Sequence, residues 1–297
     1  MADPTTIKTE IPSKNIAETL AAELPKPQVM GTDSTVTEQA ARTHVALPKN
    51  WTLAVIDSES LLSNPRRTHA TATMGDDESF VAYVVRNAKP HSMVWCEFDP
   101  TKSVLHFTAV FDEHGASVPG WRSHQAKFQP RQSAEWITWN QHNKQVKGQT
   151  AFAEFIEQNE QDVIALDGSP SSLQMMKMAT EFEARQDQRI KSAMRLQSGG
   201  IKLEFVASDD TATIEAMSVF ERFTIGVPVF WSTPKPEQKT PAYPVRARLR
   251  YRVNQGAVTF WYELIRPDLV HQAASLALIA RVREGIGGTP LVMGSCI

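Results

Sequence analysis

Short runs of alternating apolar and polar residues fill most of this chain, and the period lengthens only in its middle. Residues 93–98 (MVWCEF) and 104–111 (VLHFTAVF) are short, largely apolar runs rich in β-branched and aromatic residues, as strands are. Asp99-Pro100-Thr101-Lys102 between them is a turn, with proline at a favoured position. Residues 51–57 (WTLAVID), 79–87 (SFVAYVVRN) and 121–128 read as further strands, and 112–120 (DEHGASVPG) as a loop. This spacing predicts an antiparallel meander.

From residue 149 the pattern becomes helical. Phe152, Phe155 and Ile156 fall on one face of a helix over 149–159. A second helix over 171–186 starts behind Pro170 with a serine cap and carries an uneven stripe of Leu173, Met176, Met178 and Phe182. Its methionines suit an adaptable partner surface, but core packing is the simpler reading.

Strands return after residue 188. Residues 189–196 and 201–207 flank Ser198-Gly199-Gly200, where glycine tolerates the positive φ of a hairpin turn. Residues 213–223 and 227–231 are extended, and the four prolines of 232–244 mark a loop. Residues 245–253 and 257–265 form the clearest hairpin, joined by Asn254-Gln255-Gly256. Pro267 opens a helix over 268–284 with Arg281 and Arg283 near its C-terminal end, where the helix dipole favours cations. Gly285, Gly287 and Gly288 end it, and 290–293 is a short last strand.

The first fifty residues differ. A short helical pattern at 16–24 is stopped by Pro25 and Pro27, and acidic residues outnumber basic ones around it. The predicted class is therefore α+β: antiparallel sheet or sheets, a helical connector, and a C-terminal helix packed on the sheet. The expected divisions are a flexible N-terminal arm (1–48), a β-rich lobe (49–145), the helical connector (146–188) and a C-terminal α+β lobe (189–297). Antiparallel strands in both lobes equally allow one continuous sheet.

Composition narrows the function classes. With 31 Lys+Arg against 33 Asp+Glu, a general basic coat for nucleic acid is excluded, while a local basic patch is not. No apolar run approaches the roughly 18 residues of a membrane helix, so no membrane partner is expected. The opening MADPTTIKTEIPSK has no apolar core, so no secretory leader is expected either. Two cysteines, Cys96 and Cys296, exclude a disulfide scaffold and a four-cysteine zinc site and suit a reducing cytoplasm.

No catalytic motif stands out. The histidines show no H-x-x-x-H or H-E-x-x-H spacing, and no G-x-S-x-G elbow or phosphate-cradling P-loop is present. Asp112-Glu113-His114 resembles a metal corner only loosely, because acids beside Gly115 are expected for turn reasons alone. Asp76-Asp77-Glu78 and Asp209-Asp210 read as solvated turns, and Cys96 as a buried thiol. No catalytic residue, metal ligand or cofactor is assigned.

The feature with chemical content is V-R-A-R-L-R-Y-R-V at 245–253. On a strand, Arg246, Arg248, Arg250 and Arg252 share one face at about 6–7 Å intervals, a spacing comparable with a phosphate ladder. The facing arm carries Phe260, Trp261 and Tyr262, and aromatic rings beside guanidinium groups can stack on bases. Trp261 joins the candidate set. Arg189, Lys191 and Arg195, with Arg185, form a second basic cluster that would enlarge the patch if it lay alongside. Three readings compete for the arginine face. It is a solvated face paired to acids such as Glu204 or Glu263, a subunit contact, or a nucleic-acid surface; the first demands least.

Trp139-Asn140, Gln149-Thr150-Ala151-Phe152-Ala153-Glu154-Phe155-Ile156-Glu157, Arg246-Ala247-Arg248-Leu249-Arg250-Tyr251-Arg252 and Tyr262-Glu263-Leu264 together resemble the YfdQ-like family of phage and prophage proteins, from about residue 20 to the C-terminus. The resemblance supplies no catalytic residue. It implies context: a bacteriophage or prophage gene product of the bacterial host cytoplasm, from genomes where such genes lie among replication and recombination functions. The expected function is a non-enzymatic accessory protein that binds DNA or a phage recombination or replication protein through the arginine strand. The alternatives are a self-assembling structural homo-oligomer, whose arginine face and arm make subunit contacts, and an enzyme built from scattered acids and histidines.

Overall fold

The computed structural model describes residues 28–32, 43–47, 63–65, 67–183, 188–195, 200–207, 214–234, 240–254 and 257–296, with backbone alone for 28–46, 181–218 and 253–257. The expected helix at 16–24, the strand at 51–57 and the Asp209-Asp210 turn lie outside the described residues. The chain divides into two units, residues 1–67 and 68–297. In the first, β1 (Gln28–Thr32) pairs antiparallel with β2 (Thr43–Ala46) across a bulge between Val29 and Gly31.

The second unit is α+β. Its first sheet contains β3 (Ala70–Met74), β4 (Met93–Asp99), β5 (Val104–Val110) and β6 (His124–Phe128). The expected meander is its centre, since β4, β5 and β6 are antiparallel. The edges are not: β3 lies parallel to β6, and β14 (Leu291–Met293), from the chain's end, lies parallel to β4. Asp99 closes the β4–β5 turn by accepting from Thr101 N and Thr101 Oγ1 (2.9 and 2.6 Å).

Residues 79–87 correct the sequence reading. They belong to a helix, α1 (Asp77–Asn87), not a strand. Their β-branched and aromatic content suits a strand, but Asp76 accepts from Ser79 N (2.8 Å) as an N-cap, and Asp77 and Glu78 complement the first turn. Phe80 and Val84, one helical turn apart, are both fully buried, Phe80 against Phe107 and Phe128. The acidic triplet is thus a helix start rather than a solvated turn.

A short helix that the pattern did not announce, α2 (Ala134–Gln141), starts at Ser133, whose hydroxyl accepts from Trp136 N (3.0 Å). The expected connector follows as α3 (Gln149–Gln158) and α4 (Ser172–Glu183). On α4 the buried stripe is Met175, Met178 and Ala179, whereas Leu173 is exposed, because the side toward α3 carries the former set. Phe182's side chain lies outside the described residues.

β8 (Gln188–Arg195), β9 (Gly200–Ala207) and β10 (Ile214–Phe220) form a three-stranded antiparallel sheet in the order β10-β9-β8. The chain then passes through Glu221 into β11 (Arg222–Val227). The strand expected at 227–231 is displaced: Pro228 has no N–H to pair, so β11 stops at Val227, and Phe230 makes only an isolated bridge to Gln132. β12 (Tyr243–Asn254) and β13 (Ala257–Leu264) are the expected hairpin; Pro244, assigned to the loop, sits near the start of β12. With β7 (Lys147–Gly148) they complete a four-stranded antiparallel sheet, β11-β12-β13-β7.

One face of that sheet carries Phe223, Ile225, Val245, Ala247, Phe260 and Tyr262 into a core shared with α2, α3 and α4. The last helix, α5 (Pro267–Gly285), gives Ala274 to this core and Leu278, Ile279 and Val282 to the core of the first sheet. Arg281 reaches Asp77 of α1 at 3.1 Å. The other face of the four-stranded sheet is where the arginines stand.

Candidate nucleic-acid interface

Strand alternation is realised along β12. Val245, Ala247 and Leu249 are buried, while Arg246, Arg248, Arg250 and Arg252 are exposed. Register adds neighbours on the same face. Arg222 of β11 lies directly opposite Arg248, Thr224 opposite Arg246, Trp261 of β13 opposite Arg250, and Glu263 opposite Arg248 from the other side. The face therefore carries five guanidinium groups rather than four. Arg222 was missed because its pairing partner is more than twenty positions away, and one strand's pattern does not reveal register.

The aromatic set divides by the same rule. Trp261 stays on the arginine face, half-buried, with the Arg252 guanidinium 6.0 Å from its ring centroid. Phe260 and Tyr262 point into the core: Phe260 stacks on Phe152 at 5.1 Å, and the Tyr262 hydroxyl donates to Trp139 O at 2.7 Å. Burial raises the Tyr262 phenol far above its usual range. Neither ring can meet a base on the face.

Two of the arginines have carboxylate partners in their own chain. Arg246 Nη2 lies 3.1 Å from Asp167, and Arg250 Nε lies 3.9 Å from Glu263. Asp167 is delivered by a segment running beside β11. Ile164 N donates to Thr224 O (3.0 Å), the Ser169 and Thr224 hydroxyls bond at 2.8 Å, and Asp167 and Gly168 turn through positive φ of 52° and 78°. Gly226 permits this approach, because a Cβ there would lie 3.0 Å from Ile164 Cδ1. The Arg246–Asp167 pair is 63% and 65% exposed at its two side chains. A pair in that environment is worth about 0–1 kcal/mol, so an incoming phosphate can displace it. Among the described residues Arg222 and Arg248 form no ion pair.

The second basic cluster is not joined to this face by strand pairing. Arg189, Lys191 and Arg195 lie on β8, whose strand partner among the described residues is β9, and a bulge between Ile190 and Ser192 interrupts the alternation there. Their side chains, and all of Arg185, lie outside the described residues. Backbone pairing places Glu204 on β9, between β8 and β10, and its side chain lies outside the described residues.

The loop that resembled a metal corner is occupied by its own bonds. Asp112 accepts from Ser123 N and His124 N (2.9 and 3.0 Å), and these bonds hold its carboxyl below the ordinary range against the opposing effect of burial. Glu113, buried, accepts from Trp95 Nε1 and His114 N (3.0 Å each) and pairs with Arg122 at 3.1 Å. His114 Nδ1 accepts from Gly120 N. Among the described residues no group of three or more His, Cys, Asp or Glu side chains is placed to hold a metal, and no helix is long and apolar enough to cross a membrane.

Both cysteines are free thiols. Cys96 is fully buried on β4, and burial pushes its thiol up to about 11; Cys296 is partly exposed, with Arg122 Nη2 2.7 Å from its sulfur. At about pH 8 a thiol-specific disulfide reagent is therefore expected to titrate Cys296 alone in the native protein, and both thiols after denaturation. Native reaction of Cys96 at a comparable rate would mean that the apolar side of β4 opens readily.

Fold and face together define an α+β protein with an outward arginine surface on its C-terminal sheet. The chain belongs to the family described as "Uncharacterized conserved protein (DUF2303)", which it matches over residues 16–296. No curated protein and no solved structure matches it.

Proposed function

We propose that this chain is a non-enzymatic bacteriophage or prophage accessory protein of the host cytoplasm that binds DNA through the arginine face of its C-terminal sheet. The carrying observation is the convergence of Arg222, Arg246, Arg248, Arg250 and Arg252 on one exposed face around Trp261, opposed among the described residues by two ion pairs. Guanidinium groups bind phosphates with two parallel hydrogen bonds, and an indole among them offers a stacking surface. A stacking surface among cations is what single strands use, so the reading favours single strands. The resemblance to phage and prophage proteins supports the setting.

The test is fluorescence anisotropy with single- and double-stranded DNA across a salt series. For a quadruple variant (Arg246, Arg248, Arg250 and Arg252 each to Gln), four lost phosphate contacts should flatten the log–log salt slope by about 3 for single strands. Unchanged affinity and slope would sink the proposal. A changed molar mass by light scattering with unchanged DNA affinity would replace it with subunit contact.

A further inference from the structure

The chain leaves the three-stranded sheet at Phe220, turns at Glu221 and joins β12 at Arg222. Leu249 N donates to Glu221 O (2.9 Å) at this turn, and beyond it β10 pairs with β9 while the far end of β12 pairs with β13. The divergence leaves a cleft of about 310 Å³. Arg222, Arg248 and Arg250 line it, together with an apolar and aromatic wall of Phe220, Leu249 and Tyr251.

Charge makes the cleft unusual. Arg222 and Arg248 are directly opposite each other, and like charges in that relation oppose strand pairing. Among the described residues neither has a carboxylate within ion-pair distance, and Arg250 holds Glu263 only at 3.9 Å. Among the described residues lining the cleft, Glu221 at the turn is the acidic one, set against three arginines, and after burial its field is the next influence raising the Tyr251 phenol. Two adjacent cations that form no ion pair among the described residues favour a bound anion, and phosphate suits the planar, forked donors of arginine. The described residues of the wall beside them are uncharged and include two partly buried rings. The volume sits at the lower end of small-ligand sites, enough for one nucleotide and not for a longer segment.

We propose that this cleft is a nucleoside-monophosphate site, with the phosphate on Arg222 and Arg248 and the nucleoside against Phe220, Leu249 and Tyr251. The proposal rests on the nucleic-acid reading of the arginine face and deepens it: a terminal nucleotide of a strand lying along β12 is seated here, and a free nucleotide carries the same chemistry.

The experiment is calorimetric titration of the full chain with deoxyadenosine monophosphate and with deoxyadenosine, beside anisotropy with 5′-phosphorylated and unphosphorylated oligonucleotides. Two variants are compared, R222Q/R248Q in the cleft and R246Q/R252Q outside it, each checked for an unchanged melting temperature. The monophosphate should bind and the nucleoside should not, since the charge-assisted bonds go to phosphate. R222Q/R248Q should weaken the monophosphate at least about tenfold, and R246Q/R252Q should leave it within about twofold. Tighter binding of the 5′-phosphorylated oligonucleotide identifies a strand end as the occupant, whereas equal binding of the two identifies the free nucleotide. If the monophosphate does not bind, or ignores R222Q/R248Q, while oligonucleotides still need Arg246 and Arg252, the cleft proposal falls and the face reading survives. If oligonucleotides ignore both variants, the face reading falls as well.

Discussion

Replacing Trp139 by alanine should cost about 4 kcal/mol, a large share of the roughly 5–15 kcal/mol that keeps a domain folded. The indole is fully buried, with ring centroids of Phe155, Tyr262 and Phe223 at 5.0, 5.2 and 6.0 Å. It ties α2 to α3 and to the face of the sheet opposite the arginines. Its Nε1 also donates to Asp162 at 2.7 Å, so truncation leaves a cavity and a half-buried carboxylate without that donor. Trp139→Phe fills most of the space and should cost roughly half as much.

The carboxylate gives this prediction a pH signature. Burial raises the Asp162 pKa, and the Trp139 bond pulls it part of the way back. Losing the bond raises it further. A group whose folded pKa lies above its unfolded value holds more protons when folded, so its contribution to stability falls as pH rises through that window. The deficit of Trp139→Phe should therefore be larger near neutrality than at about pH 4. Urea melts of both variants at the two pH values check it. An alanine variant within about 1 kcal/mol of the parent would show that the indole does not anchor this core.

Gly120→Ala is the second large effect. A Cβ on Gly120 would run into the carbonyl oxygens of Asp112 and Glu113, and neither backbone group can swing aside as a side chain can. The loop over 112–122 must open. Opening breaks Arg122 N to Asp112 O (3.1 Å) and Gly120 N to His114 Nδ1 (3.0 Å), and loosens the Glu113–Arg122 pair. Glu113 is only 6% exposed, and separating a buried pair costs about 3–5 kcal/mol because the remaining charge stays desolvated. We expect a loss of about 3 kcal/mol or more in denaturant unfolding. Gly288→Ala, where nothing lies within 4 Å of the added carbon, should stay within about 0.5 kcal/mol. Equal stability of the two variants would contradict the loop geometry.

The candidate site was legible to the extent that it depends on one strand. Arginine at every second position of β12 dictates one face, because successive side chains of a strand must alternate. The same rule, applied to β13, separates Trp261 from Phe260 and Tyr262. Arg222 and Asp167 were not legible. One reaches the face through the register of β11 against β12, the other through a left-handed turn, and both link segments distant in sequence. The α1 segment was ambiguous for another reason. Phe80, Ala82 and Val84 fit a period of two, while Phe80 and Val84 also fit a helical turn, and the deciding group, Asp76, lies outside the apolar run.

The amino-acid sequence by itself determined the local elements whose signals are short-range: the β4–β5 turn at Asp99, the hairpin of β12 and β13, the helices α3 and α5, and the arginine alternation. These follow from side-chain periodicity and from turn and cap chemistry within a few residues. Only the tertiary structure decided the rest: that β14 returns from the chain's end to lie parallel to β4, that α5 serves two cores at once, and that the passage through Glu221 sets Arg222 opposite Arg248. Such outcomes are chosen by which distant apolar faces bury one another, and that competition is settled by packing the whole unit rather than by any window of its sequence.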